Sequence, residues 1–239
     1  MANSYFQFKQ FRIEQGNCGM KVTTEACLFG ALMAQSLPSN CKNILDIGTG
    51  TGLLALMLAQ KCKAQIHALE IDAAAFNQAK HNFNYAPWRE RLTVNHIDLK
   101  NFESRITFDL IICNPPFFKK NQLGKNKSKN TALHNDSLSF EALANGIAQL
   151  INKEKGQAAV LYPPYEMALF ENEMANLGFH PQSTFTILNQ KGLPIFRQVK
   201  VFARLTSQAN FTKEIMIKNS DSTYSTTFID LLKDYYLHL

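Results

Sequence analysis

No stretch of this 239-residue chain approaches the roughly 18 consecutive apolar residues of a membrane-spanning helix. The opening residues, Met1-Ala2-Asn3-Ser4-Tyr5, lack the charged and apolar regions of a secretory signal peptide, so a cytoplasmic protein is expected. Cysteine is sparse. Cys18, Cys27, Cys41, Cys62 and Cys113 form an odd set without CxxC spacing, which argues against both a disulfide framework and a zinc site. Cys113, inside an apolar run, reads as a small buried hydrophobe. No internal repeat and no linker interrupts the chain. One domain over 1–239 is therefore expected, with an N-terminal elaboration (1–43), a core (44–205), and an extra strand and helix at 206–239.

The composition, 46% hydrophobic and 18% charged, is that of a globular protein with a real core. Short apolar runs alternate with helical patterns. Strands are expected at Asn43–Ile47, Gln65–Ile71, Arg91–Ile97, Phe108–Cys113 and Gln157–Leu161, and helices at Leu53–Gln60, Ala73–Asn84, from Ser137 or Ser139 to about Ile151, and Glu166–Leu177. Such alternation predicts an α/β fold with a mostly parallel sheet covered on both faces. Strands at Phe179–Leu188 and Arg197–Leu205 read as an antiparallel pair closing the sheet, Glu214–Ile217 as an extra strand, and Tyr224–Leu239 as a terminal helix. The formal net charge is +6. Much of it is local: Lys119, Lys120, Lys125, Lys127 and Lys129 fall in one acid-free stretch. That stretch is either a solvated loop or a flap that grips a polyanion such as RNA.

Asp46-Ile47-Gly48-Thr49-Gly50-Thr51-Gly52 joins a strand to a strong helix former. Its glycines permit a tight turn and let a ligand approach the backbone, whose N–H groups offer partial positive charge. A dinucleotide fingerprint would place a third glycine where Leu53 stands, which weakens a nicotinamide-dependent oxidoreductase. An acidic residue followed by Gly48, Gly50 and Gly52 resembles instead the first motif of class I S-adenosylmethionine-dependent methyltransferases. The likeness implies a cofactor site in which Asp46 attracts the ammonium and the loop, Thr49 included, receives the carboxylate. Glu70, with Ile71 beside it, falls at the next strand end, where a carboxylate can accept ribose hydroxyls; Asp98, after the third strand, is placed to accept the adenine amine.

Asn114-Pro115-Pro116-Phe117 follows the fourth strand directly. Two prolines fix the backbone and remove two N–H donors, leaving a rigid cluster of acceptors. Asn114 can then accept from a planar NH₂ group while Phe117 stacks on the ring that carries it. The plain alternative is a proline-rich turn with Asn114 bonded to its own backbone. Three planar targets remain open: adenine N6, guanine N2 of ribosomal RNA, and the side-chain amide of a protein glutamine. A non-enzymatic binding module fits poorly with an intact Asn114 and intact glycines.

Over nearly its whole length the chain resembles the bacterial tRNA(1)(Val) (adenine(37)-N6)-methyltransferases. The likeness rests on the phenylalanine-rich start, on Cys18-Gly19-Met20-Lys21-Val22-Thr23-Thr24-Glu25, on the two motifs above, and on a tail from Tyr224-Ser225 through Asp234-Tyr235-Tyr236-Leu237. It implies a Rossmann-like class I methyltransferase domain with a seven-stranded sheet, S-adenosyl-L-methionine as cofactor, tRNA as partner and no metal. Asn114, Pro115, Pro116 and Phe117 would act on the target amine; His134 either helps remove its proton or is simply a solvated loop histidine. Lys21, the lysine stretch, Phe6 and Phe8 would supply RNA recognition. Thr23 and Glu25 replace a glycine and an aspartate of the family pattern, and Leu133 replaces an arginine.

Overall fold

The computed structural model describes residues 3–116, 138–204 and 211–239. Runs of alternating or continuous apolar residues form ten strands among them: β1 (Tyr5–Gln7), β2 (Arg12–Glu14), β3 (Asn43–Ile47), β4 (Gln65–Glu70), β5 (Leu92–His96), β6 (Leu110–Cys113), β7 (Gln157–Tyr162), β8 (His180–Leu188), β9 (Ile195–Ala203) and β10 (Phe211–Met216). Six α-helices accompany them: α1 (Thr24–Gln35), α2 (Leu53–Ala59), α3 (Ala73–Asn84), α4 (Phe140–Leu150), α5 (Pro164–Asn176) and α6 (Thr226–Leu232). Their starts follow local chemistry. Thr23, Asp72, Ser139 and Ser225 each accept an N–H of the first turn, while α5 begins with Pro164 at a position where a missing donor costs nothing.

β1 and β2 form a separate hairpin, and the other strands make one sheet in the order β10-β8-β9-β7-β6-β3-β4-β5. From β7 to β5 the neighbours run parallel; β9 runs antiparallel to both β7 and β8, and β10 runs parallel to β8. The expected seven strands are thus joined by an eighth, β10. Chain order reverses between β3 and β6, the switch point outside which α/β sheets bind ligands.

Strand alternation sorts side chains to two cores. Ile44, Ile66, Ala68, Leu110, Ile112, Ala159 and Leu161 face α1, α2 and α6, whereas Leu45, Ile47, Ile111, Cys113, Val160 and Tyr162 face α4 and α5. Helix α2 is apolar all round because it is buried all round, between the sheet, α1 and the tail.

The tail departs from its pattern. A helix through Leu239 is expected, yet α6 stops at Leu232. The carbonyls that follow serve other elements: Asp234 O accepts from Gln60 Nε2, and Tyr235 O accepts from Lys9 N. Tyr235 and Tyr236 still pack inward, where the Tyr235 hydroxyl donates to Met57 O and Tyr236 meets Phe6, Phe8 and Phe228. Phe8 is fully buried in this cluster, so it cannot belong to an RNA-facing surface, and Phe6 is half-buried against it. Among the described residues no helix is long and apolar enough to cross a membrane.

Candidate active site

A cavity of about 540 Å³ opens outside the carboxyl ends of β3, β4 and β6. One wall is the glycine loop, which turns through positive φ at Gly48, Gly50 and Gly52 before entering α2. Gly52 is required twice over: its φ is +85°, and a Cβ there would lie 2.5 Å from Phe83 Cε1. Gly48, Thr49 and Gly50 line the cavity together with Glu70, Ile71, Asp98 and Asn114. Lys21 lies at the same cavity, its ammonium donating to Asn3 O at 3.1 Å. Phe117, Lys119, Lys120, Lys125, Lys127, Lys129, Leu133, His134 and Ser137 lie outside the described residues.

The loop is less free to bind an anion than its sequence suggests. The N–H groups of Gly48 and Thr49 donate to Leu69 O at 2.9 and 3.0 Å, and Gly50 N–H donates to Glu70 Oε2 at 2.8 Å. They hold the loop to β4 instead of pointing at a ligand. Glu70 also accepts from Ile71 N and Asp72 N on Oε1, both at 2.9 Å. Three of its roughly four lone-pair directions are filled, which leaves room for one further donor from the cavity. Asp98 caps a short 3-10 turn by accepting from Lys100 N at 3.0 Å on Oδ1, and its Oδ2 accepts no hydrogen bond among the described residues.

Asp46 and Gly52 are not part of the cavity lining. Strand parity turns Asp46 toward α2, where it is fully buried and accepts the Thr49 hydroxyl at 2.6 Å. Burial pushes its carboxyl up to about 7, offset in part by the Thr49 hydroxyl and the Ala55 amide. Its Oδ1 has no well-formed hydrogen bond among the described residues. Asp46 bears on the site through the loop that it supports.

Asn114 leaves β6 into the cavity beside Pro115 and Pro116. Its Oδ1 is shielded from solvent and accepts no hydrogen bond among the described residues, so a plain Asx turn is not what this side chain makes. Asn114 lines a ligand-sized cavity, and an acceptor left without a donor among the described residues suits a donor from outside the protein. The rest of the lining suits a molecule with a sugar and a flat ring: Ile71, Ile97, Leu99 and Pro116 offer apolar faces between the carboxylates of Glu70 and Asp98.

Two supporting amides escaped the motif reading. Asn82, buried on α3, accepts from Glu14 N and donates to Glu14 O and to Thr51 O at 2.8 Å, tying the hairpin to the glycine loop. Gln15 accepts from Val22 N at 2.9 Å and so fixes the segment from Gly19 to Val22, which lines the cavity opposite the loop. A lone amide on an otherwise apolar helical face was the signal for Asn82; nothing local marked Gln15.

Sheet order, glycine loop and strand-end amide together define an α/β methyltransferase. The methyltransferase small domain family matches residues 28–164, which contain the loop, Glu70, Asp98 and Asn114. A relative from Cytophaga hutchinsonii named tRNA1(Val) (adenine(37)-N6)-methyltransferase is 37% identical over the whole of both chains, and one of the same name from Dyadobacter fermentans is 39% identical over 98% of each. The crystal structure of a predicted O-methyltransferase from Agrobacterium tumefaciens superposes with a TM-score of 0.65 at 16% identity, covering 87% of this chain and 95% of that one; it is similar in fold alone. The chain belongs to the methyltransferase small domain family and, within it, to the tRNA1(Val) (adenine(37)-N6)-methyltransferase family.

Proposed function

We propose that the protein methylates the exocyclic N6 amine of adenine 37 in tRNA1(Val), using S-adenosylmethionine. The observation that carries the chemistry is Asn114, which lines the cavity and whose Oδ1 accepts no hydrogen bond among the described residues. The base and tRNA follow from the names of the full-length relatives. S-Adenosylmethionine, when bound, supplies an activated methyl group on a sulfonium. Glu70 would hold a ribose hydroxyl with its remaining acceptor direction, Asp98 would accept the adenine amine, and Ile71 would pack on the ring.

Adenine's amine is a poor nucleophile because its lone pair is drawn into the ring. Asn114 Oδ1 and the carbonyl of Pro115 supply two acceptors for its N–H bonds, which turns the lone pair out of conjugation and toward the methyl donor. Pro115 and Pro116 have no N–H to compete for those acceptors, and they hold the turn rigid. Catalysis of this kind is chiefly a matter of holding two reactants in line. A base in an anticodon loop is outside a continuous duplex, so extruding it costs less than flipping a paired one.

Incubation with unmodified tRNA1(Val) and with a guanine-37 variant, followed by nucleoside mass spectrometry, tests the assignment. N6-methyladenosine only in the first is expected. N2-methylguanosine, or no methylated nucleoside, refutes it.

A further inference from the structure

The protein itself uses most of the donors that the glycine loop offers to an anion. The N–H groups of Gly48 and Thr49 go to Leu69 O, that of Gly50 goes to Glu70 Oε2, and that of Gly52 goes to Thr49 O, while the Thr49 hydroxyl goes to Asp46. An amino-acid carboxylate entering the cavity at this wall meets donors already in use, and a charge taken out of water without a partner is costly. It needs a cation from another part of the chain.

Among the described residues the cavity lining holds two cations, Lys21 and Lys100. Lys100 follows Asp98 in the turn after β5, two strands from β3 and so about 10 Å to the side of the glycine loop. It stands among acids, since Glu70, Asp72 and Asp98 all lie at the ends of β4 and β5.

Lys21 is tied to the loop side. Asn82 Nδ2 donates to both Thr51 O and Glu14 O, at 2.8 and 3.0 Å, which draws the chain after β2 against the glycine loop. Gln15, next in the chain and only 4% exposed, accepts from Val22 N at 2.9 Å and so holds the backbone beside Lys21. The Asn3 carbonyl takes both the Lys21 ammonium, at 3.1 Å, and Gln15 Nε2, at 3.2 Å. That bond uses one of the three ammonium donors. No carboxylate among the described residues pairs with the ammonium.

We propose that Lys21 binds the carboxylate of the cofactor's methionine end. The proposal rests on the reading of this protein as an S-adenosylmethionine-dependent enzyme, and it moves Lys21 from the RNA surface to the cofactor. The charges of the cavity then orient the ligand: its carboxylate lies toward Lys21, and its nucleoside lies toward Glu70 and Asp98.

The test uses calorimetry on the full chain without RNA, with two ligands that differ by one group: S-adenosylmethionine and its decarboxylated analogue. Lys21→Met, which keeps the apolar stem, should raise the Kd for S-adenosylmethionine about 10- to 100-fold, the loss of one charge-assisted bond. Its Kd for the decarboxylated analogue should stay within about twofold of wild type, which also shows that the variant is folded. Removing the carboxylate from the ligand should therefore weaken binding to wild type and hardly alter binding to Lys21→Met. Lys21→Arg should recover most of the affinity for S-adenosylmethionine. Equal losses for the two ligands would make Lys21 a wall of the cavity, and no loss for either would return it to the RNA surface; both outcomes overturn the proposal. A wild type that shows the carboxylate dependence but yields no methylated nucleoside from tRNA sinks the functional reading and leaves the Lys21 contact standing. A wild type that binds neither ligand overturns both.

Discussion

Asp46 should make folding stability fall as pH rises from the acid side toward neutrality. Burial without a full set of donors holds its carboxyl at about 7, against 3.8 for an ordinary aspartate. At 1.36 kcal/mol per pH unit, ionising it inside the fold costs roughly 4 kcal/mol. The native state keeps this proton where the unfolded chain has already lost it, so unfolding releases a proton between about pH 4 and 7. Its contribution is therefore most favourable below about pH 4, declines through that window, and levels off above it. Asp46→Asn removes the titration while keeping an acceptor for the Thr49 hydroxyl. Its new NH₂ group meets no acceptor at the former Oδ1, a constant penalty of about 1–3 kcal/mol. The observable is thus the difference in slope, not the offset. Urea unfolding of both proteins from pH 4.5 to 8.5 should give a stability difference that moves steadily in favour of the variant as pH rises to 7, then stays flat. Thr49→Val, which removes a donor to the charged form, should extend the wild-type decline to higher pH. Curves for wild type and Asp46→Asn that stay parallel to within about 0.5 kcal/mol across this range would mean that Asp46 titrates as an ordinary surface acid.

Gly52→Ala adds left-handed strain of about 1–2 kcal/mol to overpacking of about 1–3 kcal/mol against Phe83; calorimetry should find a lowered Tm, and Phe83→Leu in the same chain should recover only the packing part. Asn114→Ala should lower kcat by about 10²-fold, by analogy with losing one pre-organised polar group, with cofactor affinity unaltered; near-normal turnover in a folded variant would reduce Asn114 to a turn residue. Glu70→Ala should weaken cofactor binding by roughly 1.5–3 kcal/mol for a lost charge-assisted bond. It also frees the Gly50 N–H, so protection of that amide in hydrogen exchange should drop even without cofactor; full protection would contradict its bond to Glu70.

The features legible in the sequence were those that local chemistry decides. An apolar run followed by Asp46 and three spaced glycines must turn sharply from strand to helix, and Ala73–Asn84 emerges at its expected bounds because Asp72 caps it. Asn114 could be placed at a strand end from the run that precedes it. What escaped depends on partners distant in the chain. Nothing around Gly48 tells that its N–H will be taken by Leu69, or that Gly50 will be taken by Glu70, because both bonds require β4 to lie alongside β3. The helical spacing of the tail was real, yet Lys9 and Gln60, far away in sequence, claim the carbonyls that would have prolonged α6. Phe8 looked like a surface aromatic only because its cover, Tyr236, lies at the other end of the chain.

That pairing of distant segments has a consequence for how the protein comes to be folded. Phe8 bridges Tyr236, and Lys9 donates to Tyr235, so the turn of the first hairpin is covered only after residue 236 has left the ribosome. The hairpin in turn anchors the glycine loop through Asn82. Loop closure over such a separation is slow and comes late. During synthesis Phe6 and Phe8 must wait without their Tyr236 cover, and ribosome-bound chains stopped before residue 226 should expose them to chaperones and protease even though every strand from β3 to β10 has already been made.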